Sequence, residues 1–582
     1  MAPVAAETSF ESYKIPLSEY VFRRIESLDI HNIFGVPGDY NLSFLEHLYS
    51  VPNLNWIGCC NELNSAYAAD GYSRVIGHDK FGVLLTTQGV GELSASNGVS
   101  GSFAEHVPIL HIVGTTPTAA KKAGAHYHHM INGIKTTDPT NHYAYEEMAT
   151  KISCKILSLT EDLSNAANDI DDLFKTIIET KKPGYLYIPC DLVNNIIDGS
   201  NLKTIPGYQL KARYPSTSKQ RIDSIVELIS EKVIKSKTPL ALCDVLTDRY
   251  GLSSQVQQIV DLLNLPCSNS LMGKSLLDES KSNYIGDYNG DESNKMVKAY
   301  AKSTDCLLHF GDYYNEINSG HWTLYQDIDK EAIILFNPEY IKIGSQVFEN
   351  VSFQDIIPAL LTKLSYTKDL PTFEIPKIDI EIEQIPSNTP ISQTILLQKL
   401  KSFFKPNDVI VTETCSTMFG LPDIKMPHNS KVVGQHYYLS IGMALPCSFG
   451  VSVALSELKK DSRLILIEGD GAAQMTIQEL SNFNRANVIK PLVVLLNNNG
   501  YTVERIIKGP EREYNDIRPD WNWTQIFQTF GATDAKTIKV QEPQELDSAL
   551  ETLGDLVNVP RLIEVKLDKL DVPWRFHKMV GN

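Results

Sequence analysis

Asp470 closes an apolar run, "RLILIEGDG" (463–471), between two glycines. A second apolar run, "PLVVLLNNN" (491–499), ends in three carboxamides. Neither run alternates apolar with polar, so both read as strands buried on two faces. A right-handed crossover between parallel strands brings their carboxyl ends to one edge, where Asp470 and Asn498 can face a common site. A carboxylate, a carboxamide and backbone carbonyls are hard oxygen donors. They suit Mg²⁺, which keeps few protein ligands and completes its shell with substrate phosphates. Taken singly, each residue is more simply a turn acid or a loop asparagine; the pairing carries the metal–phosphate reading. "TIQE" (476–479) has capping-box spacing and predicts that the next helix starts there.

Other side chains could move protons. Glu62 lies in "NELNSAYAADGYSR" among small residues of a predicted helix. On a buried face, desolvation would raise its pKa and suit it to proton sharing; an exposed helix glutamate fits the pattern equally well. "HYHH" (126–129) offers three imidazoles for acid–base work, or simply satisfied loop histidines. Zinc would need a fourth ligand and a carboxylate or cysteine pattern, and neither is near in the sequence. Asp39 in "GVPGDYN" follows the short apolar run "NIFGV" and a Pro-Gly turn, and N-capping is a sufficient role. Glu504 lies close enough to Asn498 to reach the same site, or to be merely solvated. Two nucleotide fingerprints fail. "GVGELS" (89–94) has Ser94 at the third glycine position, and "MGKS" (272–275) has Ser268 where a Walker loop begins with glycine.

The elements that must carry these residues recur along the chain. Besides the two opening runs, eight more have strand character: 81–87, 108–114, 184–189, 239–245, 306–312, 332–338, 408–414 and 561–568. Helical patterns lie between many of them, which is the signature of parallel sheets covered by helices. Two polar, proline-bearing stretches, 198–220 and 368–390, read as linkers. The fold class expected is α/β, with three doubly wound parallel-sheet domains at 1–197, 221–367 and 391–582. The formal net charge of −17 lacks the basic excess that phosphate-backbone binding needs, so nucleic acid is not an expected partner. No apolar run approaches the ~20 residues of a membrane span. "MAPVAAETSFESYK" lacks a signal-peptide core, and "MVGN" is no retention tag. Nine dispersed cysteines without a CxxC pair suggest reduced thiols and a cytoplasmic location.

With these residues assembled, the chain resembles the thiamine diphosphate-dependent 2-oxo acid decarboxylases, the family of pyruvate, indolepyruvate and phenylpyruvate decarboxylases. The resemblance spans about residues 15–575. It is strongest at "FGVPGDYNLSFLE", "NELNSAYAADGYSR", "GVGELSASNGVSGSFAEHVP", "GDGAAQMTIQEL" and "LNNNGYTVE". GDG followed after 26 residues by Asn498 marks the cofactor class, while "PGDYN" and the HH pair narrow it to decarboxylases. "CSTMFGLPD" and "SIGMALP" look closer to the aromatic and branched-chain enzymes.

The resemblance implies roles. Asp470, Asn498 and the Gly500 carbonyl would hold Mg²⁺ against the diphosphate. Glu62 would hydrogen-bond the aminopyrimidine and so promote loss of the thiazolium C2 proton. Ile441 would prop the cofactor in its bent form. Thr414, Cys415, Ser416 and Leu439 would line its groove, with Pro37, Gly38, Val90, Gly471, Ala472 and Val503 as further contacts. Asp39, His128, His129 and Glu504 would manage protons around the substrate. Glu62 would reach cofactor held by another subunit, so a homodimer or a dimer-of-dimers tetramer is implied.

Departures from the family pattern bear on substrate. Ala472 stands where many pyruvate decarboxylases carry Ser, Asn499 where an acid is commoner, and Cys415 and Leu439 where Gly is frequent. Gln88 replaces Phe, Ile317 a bulky aromatic, Val503 Ile and Met418 Ala. Ile317 and Val503 would make room in the pocket, and flexible Met418 would partly refill it. Leu246-Thr247 replaces a cysteine pair tied to substrate activation in some relatives, and that regulation is not carried over. The expected reaction is non-oxidative decarboxylation of a small-molecule 2-oxo acid to an aldehyde. Aromatic substrates of amino-acid catabolism (the Ehrlich pathway) are favoured, with pyruvate decarboxylation in alcoholic fermentation as the alternative. A carboligase is disfavoured by the HH pair. A nucleotide-dependent oxidoreductase is disfavoured by the failed fingerprints.

Overall fold

The computed structural model describes residues 13–213, 216–378, 390–414, 416–517 and 521–580. Cys415 and residues 379–389 of the expected second linker lie outside these. The chain forms two compact units. One holds the described residues up to Ala69 with Asp79–Phe103 and Val107–Arg213; the other holds Asp70–His78, Ala104–His106 and the described residues from 216 onward.

The first unit is built on a six-stranded parallel sheet. From edge to edge it runs Asn55–Gly58, Asn32–Gly35, Gly82–Thr87, Ile109–Thr115, Gly184–Pro189 and Lys155–Ser158. Every residue of the three strands at 82–87, 109–115 and 184–189 is buried, as expected of a parallel sheet covered on both faces. The covering helices show why they form. In Ala166–Thr180 the buried side chains Ile170, Leu173, Phe174, Ile177 and Ile178 fall on one helical stripe.

Burial in this unit sets a pH dependence. Glu92, in the first turn of the helix Val90–Ala104, accepts hydrogen bonds from the Tyr187 hydroxyl and, at 3.4 Å, from the Gly89 N–H. Burial pushes its pKa from 4.5 up to about 7 despite those bonds. Between these values the folded chain keeps a proton that the unfolded chain has released. The sign is therefore opposite to that of a salt-bridged carboxylate: the favourable contribution is complete below the unfolded pKa and is lost as pH rises through about 7. Glu92→Gln is expected to gain roughly 2–3 kcal/mol on wild type between pH 5 and pH 8, read by denaturant unfolding. A difference that does not vary with pH would exclude Glu92 as the source.

The second unit contains two sheets. In one, Cys267–Asn269, Pro239–Cys243, Cys306–Phe310 and Ile333–Phe336 run parallel, and Tyr340–Ile343 and Gln346–Glu349 extend the edge antiparallel. The other is wholly parallel: Lys431–Gly434, Val409–Thr412, Leu464–Gly469, Pro491–Asn497, Arg561–Lys566 and Lys536–Val540. All ten predicted runs are strands, and the α/β class with three main sheets holds; besides that antiparallel edge, Lys14–Pro16 and Ile196–Asp198 form a small antiparallel pair. Among the described residues no helix is long and apolar enough to cross a membrane.

Two local expectations change. The helix after Leu464–Gly469 starts at Asp470 itself and runs to Thr476, where it tightens into a 3₁₀ stretch, Ile477–Asn484. The Thr476 hydroxyl donates to the Gly442 carbonyl (2.8 Å), so it ties the end of this helix to a neighbouring turn rather than capping a helix start. Within 198–213 the chain makes two short helices, Asn201–Thr204 and Gly207–Lys211, and buries Leu210.

Candidate active site

Parallel strands in an open α/β sheet present ligand sites beyond their carboxyl ends. In the second unit four adjacent strands supply the predicted groups there. Val409–Thr412 leads to Thr414 and Ser416, Lys431–Gly434 to Leu439 and Ile441, Leu464–Gly469 to Asp470, and Pro491–Asn497 to Asn498. The register pairs Gly469 with Leu496, which sets the following residues of both strands side by side. They enclose a cavity of about 250 Å³, lined among others by Thr414, Leu439, Ile441, Ala472, Val503 and Glu504. A roomier polar cleft of about 690 Å³ lies at the opposite ends of the same strands. There Lys405 and Arg463 are already paired with Asp555 and Asp408.

Three consecutive asparagines point three ways. Asn497 donates to Glu564 (2.7 Å) and Asn499 accepts from the Lys566 ammonium (2.8 Å), so both are taken up by the neighbouring strand. Asn498 alone turns to Asp470. With its amide oxygen inward, that oxygen lies 3.1 Å from Asp470 Oδ1 and 2.8 Å from the Gly500 carbonyl oxygen. Oxygens this close repel unless a cation sits among them or the amide turns over to donate. Neighbouring ligands of an octahedral Mg²⁺, bound at about 2.0–2.1 Å, stand roughly 2.9 Å apart, so the donor set fits that ion. Asp470 adds to the fit. It is 1% exposed, accepts from the Gly471 N–H (2.8 Å) and the Gly500 N–H (3.2 Å), and burial still pushes its pKa up to about 7. A buried carboxylate incompletely stabilised by backbone donors is a cation ligand in need of charge.

The turn carrying Gly500 is held by a residue that the sequence reading missed. Arg505, 1% exposed, donates to the carbonyls of Asn498 (3.0 Å) and Asn499 (2.6 Å) and to Asp516 (2.6 Å). Gly500 has φ +143°, and a Cβ there would lie 2.2 Å from the Asn515 carbonyl oxygen, so no other residue fits.

A second turn, 434–444, carries Leu439 and Ile441, and buried acceptors hold its backbone. Glu413 accepts from the N–H groups of Thr414 (2.8 Å), Gly442 (3.3 Å) and Ala444 (3.0 Å). Gln435 accepts from Ser440 N–H (2.7 Å), and Glu105 from Tyr437 N–H (2.7 Å) and Tyr438 N–H (3.3 Å). Glu105 is itself paired with Arg74 (3.1 Å), which donates to the Gly434 carbonyl (2.9 Å). The Ser416 hydroxyl is shared with buried Gln393 (2.9 Å).

The expected substrate-pocket residues divide. Ile317 and Met418 meet in one apolar cluster with Leu271, Phe419, Val572 and Phe576, and Val503 packs against it, as does the expected cofactor contact Leu439. Gln88 belongs to the first unit, where it is fully buried and its amide accepts from Thr116 N–H (3.1 Å) and donates to the His142 carbonyl (2.9 Å). Phe419, Phe576 and Met579 line the cavity unanticipated. The sequence signal was available in "PWRFHKMV", an apolar helical stripe close to the end of the chain.

The first unit gathers its predicted groups beyond three adjacent strand ends. Pro37, Gly38 and Asp39 follow Asn32–Gly35, Glu62 follows Asn55–Gly58, and Gln88 and Val90 follow Gly82–Thr87. Glu62 is the first residue of the helix Glu62–Ile76 and is half-buried, between its two expected fates. Gly91 lets the neighbouring helix start come close: a Cβ there would lie 3.0 Å from Glu62 Oε1. The histidines meet a carboxylate that is remote in the sequence, the Asp39 that the resemblance groups with them. Asp39, 89 residues away from His128, accepts from His128 Nε2 at 2.5 Å, and its other oxygen lies 3.6 Å from His129 Nε2. All three ligand atoms fall within 4.8 Å of one another. The hydroxyls of Tyr40 and Tyr145 donate to the carbonyls of His128 (2.9 Å) and His129 (2.7 Å), fixing the pair. Such a linked imidazole–carboxylate set can pass protons to a ligand at the strand ends.

Three family models match the chain: the N-terminal binding domain of thiamine pyrophosphate enzymes over 15–137, their central domain over 222–364 and their C-terminal binding domain over 413–565. Among curated proteins, a Saccharomyces cerevisiae protein named transaminated amino acid decarboxylase is 39% identical over all of this chain and 98% of its own. Pyruvate decarboxylase isozyme 3 of the same yeast is 35% identical over 96% of this chain and 97% of its own, and the Kluyveromyces lactis pyruvate decarboxylase is 33% identical over the same shares.

Proposed function

The chain belongs to the thiamine diphosphate-dependent 2-oxo acid decarboxylase family, and on that premise we propose that its preferred substrates are aromatic 2-oxo acids such as phenylpyruvate and indolepyruvate. The observation that carries this preference is the apolar cluster of Ile317, Met418 and Phe576, which reaches the cofactor cavity through Val503, Phe419 and Phe576. Its side chains offer a dry wall to a ring and nothing polar to a small keto acid. The name of the 39% identical yeast relative, whose substrates are transaminated amino acids, supports the same choice. The chemistry places the enzyme after a transamination that makes the 2-oxo acid and before a step that consumes the aldehyde.

When bound, thiamine diphosphate supplies the electron sink that accepts the bonding pair as CO₂ leaves. The residues of the chain do the rest. Asp470, Asn498 and the Gly500 carbonyl would hold Mg²⁺, and the start of the helix Asp470–Thr476 would border the diphosphate. Ile441, fixed by the pinned turn, would support the bound cofactor, and Thr414 and Ser416 would border its groove. Glu62 would hold a proton toward the cofactor's aminopyrimidine. The linked Asp39, His128 and His129, with Glu504, deliver the proton that the product carbon takes up. We infer a homodimer or a dimer-of-dimers tetramer, with Glu62 reaching cofactor held by another subunit, from the family resemblance. We place the domain limits at 197, 221, 367 and 391, and the enzyme in the cytoplasm.

With thiamine diphosphate and Mg²⁺, purified protein is expected to release CO₂ from phenylpyruvate with a kcat/KM about tenfold or more above that for pyruvate. A higher value for pyruvate would replace the aromatic assignment with the fermentative one. Absence of CO₂ from every 2-oxo acid in a panel would remove the proposal altogether.

A further inference from the structure

Leu439 is held in a conformation that leucine avoids. Its φ is +57°, in the left-handed region, where a Cβ crowds the following carbonyl. Glycine would take the same backbone shape without that conflict. The surrounding turn forces the conformation. The backbone N–H groups on both sides of Leu439 are bound to buried acceptors, Tyr437 and Tyr438 to Glu105 and Ser440 to Gln435. Strain that persists at the edge of a ligand cavity points to a use for the side chain that causes it.

The surroundings of that side chain indicate the use. Leu439 lines the cavity together with Ile441, Val503 and Glu504. It also packs, half-buried, on the apolar cluster that contains Ile317, Met418 and Phe576. Leu439 thus touches both the cofactor groove and the apolar wall, as Val503 and Phe576 do, and it alone of these three has a left-handed backbone. We propose that the Leu439 side chain, and not only its backbone, is part of the substrate wall and sets the preference for 2-oxo acids with large side chains. The inference rests on the decarboxylase reading of this site. A leucine at this point closes the wall over the first carbons of a substrate side chain. A pyruvate methyl is too short to gain from the contact, whereas a benzyl or indolylmethyl group is long enough.

The test is the ratio of kcat/KM for phenylpyruvate to that for pyruvate in Leu439→Gly, Leu439→Ala and Leu439→Met, with thiamine diphosphate affinity measured alongside. Gly and Ala are expected to lower the ratio roughly tenfold or more, the loss falling on phenylpyruvate, because apolar pocket contacts discriminate on that scale. Met, which keeps the bulk, should hold the ratio within about threefold, and cofactor affinity should change little in all three. Leu439→Gly relieves the strained backbone, so it is the variant best suited to fold. An unchanged ratio in both Gly and Ala overturns the proposal. So does an equal loss on both substrates accompanied by weaker cofactor binding, since Leu439 would then only shape the turn. The wild-type ratio separately reads the aromatic assignment: a value below one sinks that assignment, and the shift among variants still decides the role of Leu439.

Discussion

Replacing Glu62 with glutamine is expected to lower kcat by about three orders of magnitude while thiamine diphosphate still binds. Glutamine keeps the length and one acceptor of the side chain but cannot hold the proton that activates the aminopyrimidine. The position tolerates the change structurally, because Glu62 is the half-buried first residue of its helix and anchors no core packing. Its loss is therefore separable from misfolding. Two readouts distinguish a chemical role from a positional one. Exchange of the C2 proton of bound cofactor should slow in step with kcat, and the cofactor dissociation constant should move by no more than roughly tenfold. Exchange at the wild-type rate in Glu62→Gln would remove the residue from the proton path whatever happened to turnover.

The second large effect concerns the metal cradle. Asp470→Asn is expected to abolish Mg²⁺-dependent retention of thiamine diphosphate, weakening it on the order of a hundredfold or more, and to remove activity with it. The substitution is nearly isosteric. The amide oxygen can still accept from Gly471 N–H or Gly500 N–H, so the local turn should survive. What is lost is the charge whose burial raises the acid's pKa and whose natural partner is a divalent cation. Titration of cofactor into the variant at fixed Mg²⁺, followed by tryptophan fluorescence, reads the affinity directly. Binding within about threefold of wild type would show that the diphosphate is held by backbone donors alone and that the Asp470–Asn498–Gly500 oxygens are not the metal site.

Much of this was legible in the chain. The ten interior runs were readable because strands buried on both faces must be continuously apolar, and all ten are strands. The strands that sequence reading passed over lie mainly at edges: Lys155–Ser158, Gln346–Glu349 and Lys536–Val540 are partly exposed and mix charge with apolar residues. An edge strand has only one neighbour to satisfy, so its composition carries a weaker signal. The metal pair was legible because both members follow interior strands at a fixed crossover distance. Asp39 and the histidines were legible only through the family resemblance, since 89 residues and a sheet order that no spacing encodes separate them. Arg505 and Glu413 were missed for another reason. They act on backbone groups, and a side chain that grips N–H or C=O leaves no complementary residue type to find.

The same fact has a use for anyone altering this enzyme. Glu105, Glu413 and Gln435 all hold the 434–444 turn by its main chain. Apart from Gln435 itself, no side chain along that turn is demanded by those restraints, although Gly442 at φ +92° and the cofactor contact Ile441 are fixed for other reasons. A saturation library at Leu439 can therefore explore new substrate tastes without loosening the frame on which the cofactor rests. Variation at Leu439 is cheap, whereas variation at the three residues that hold the turn is not.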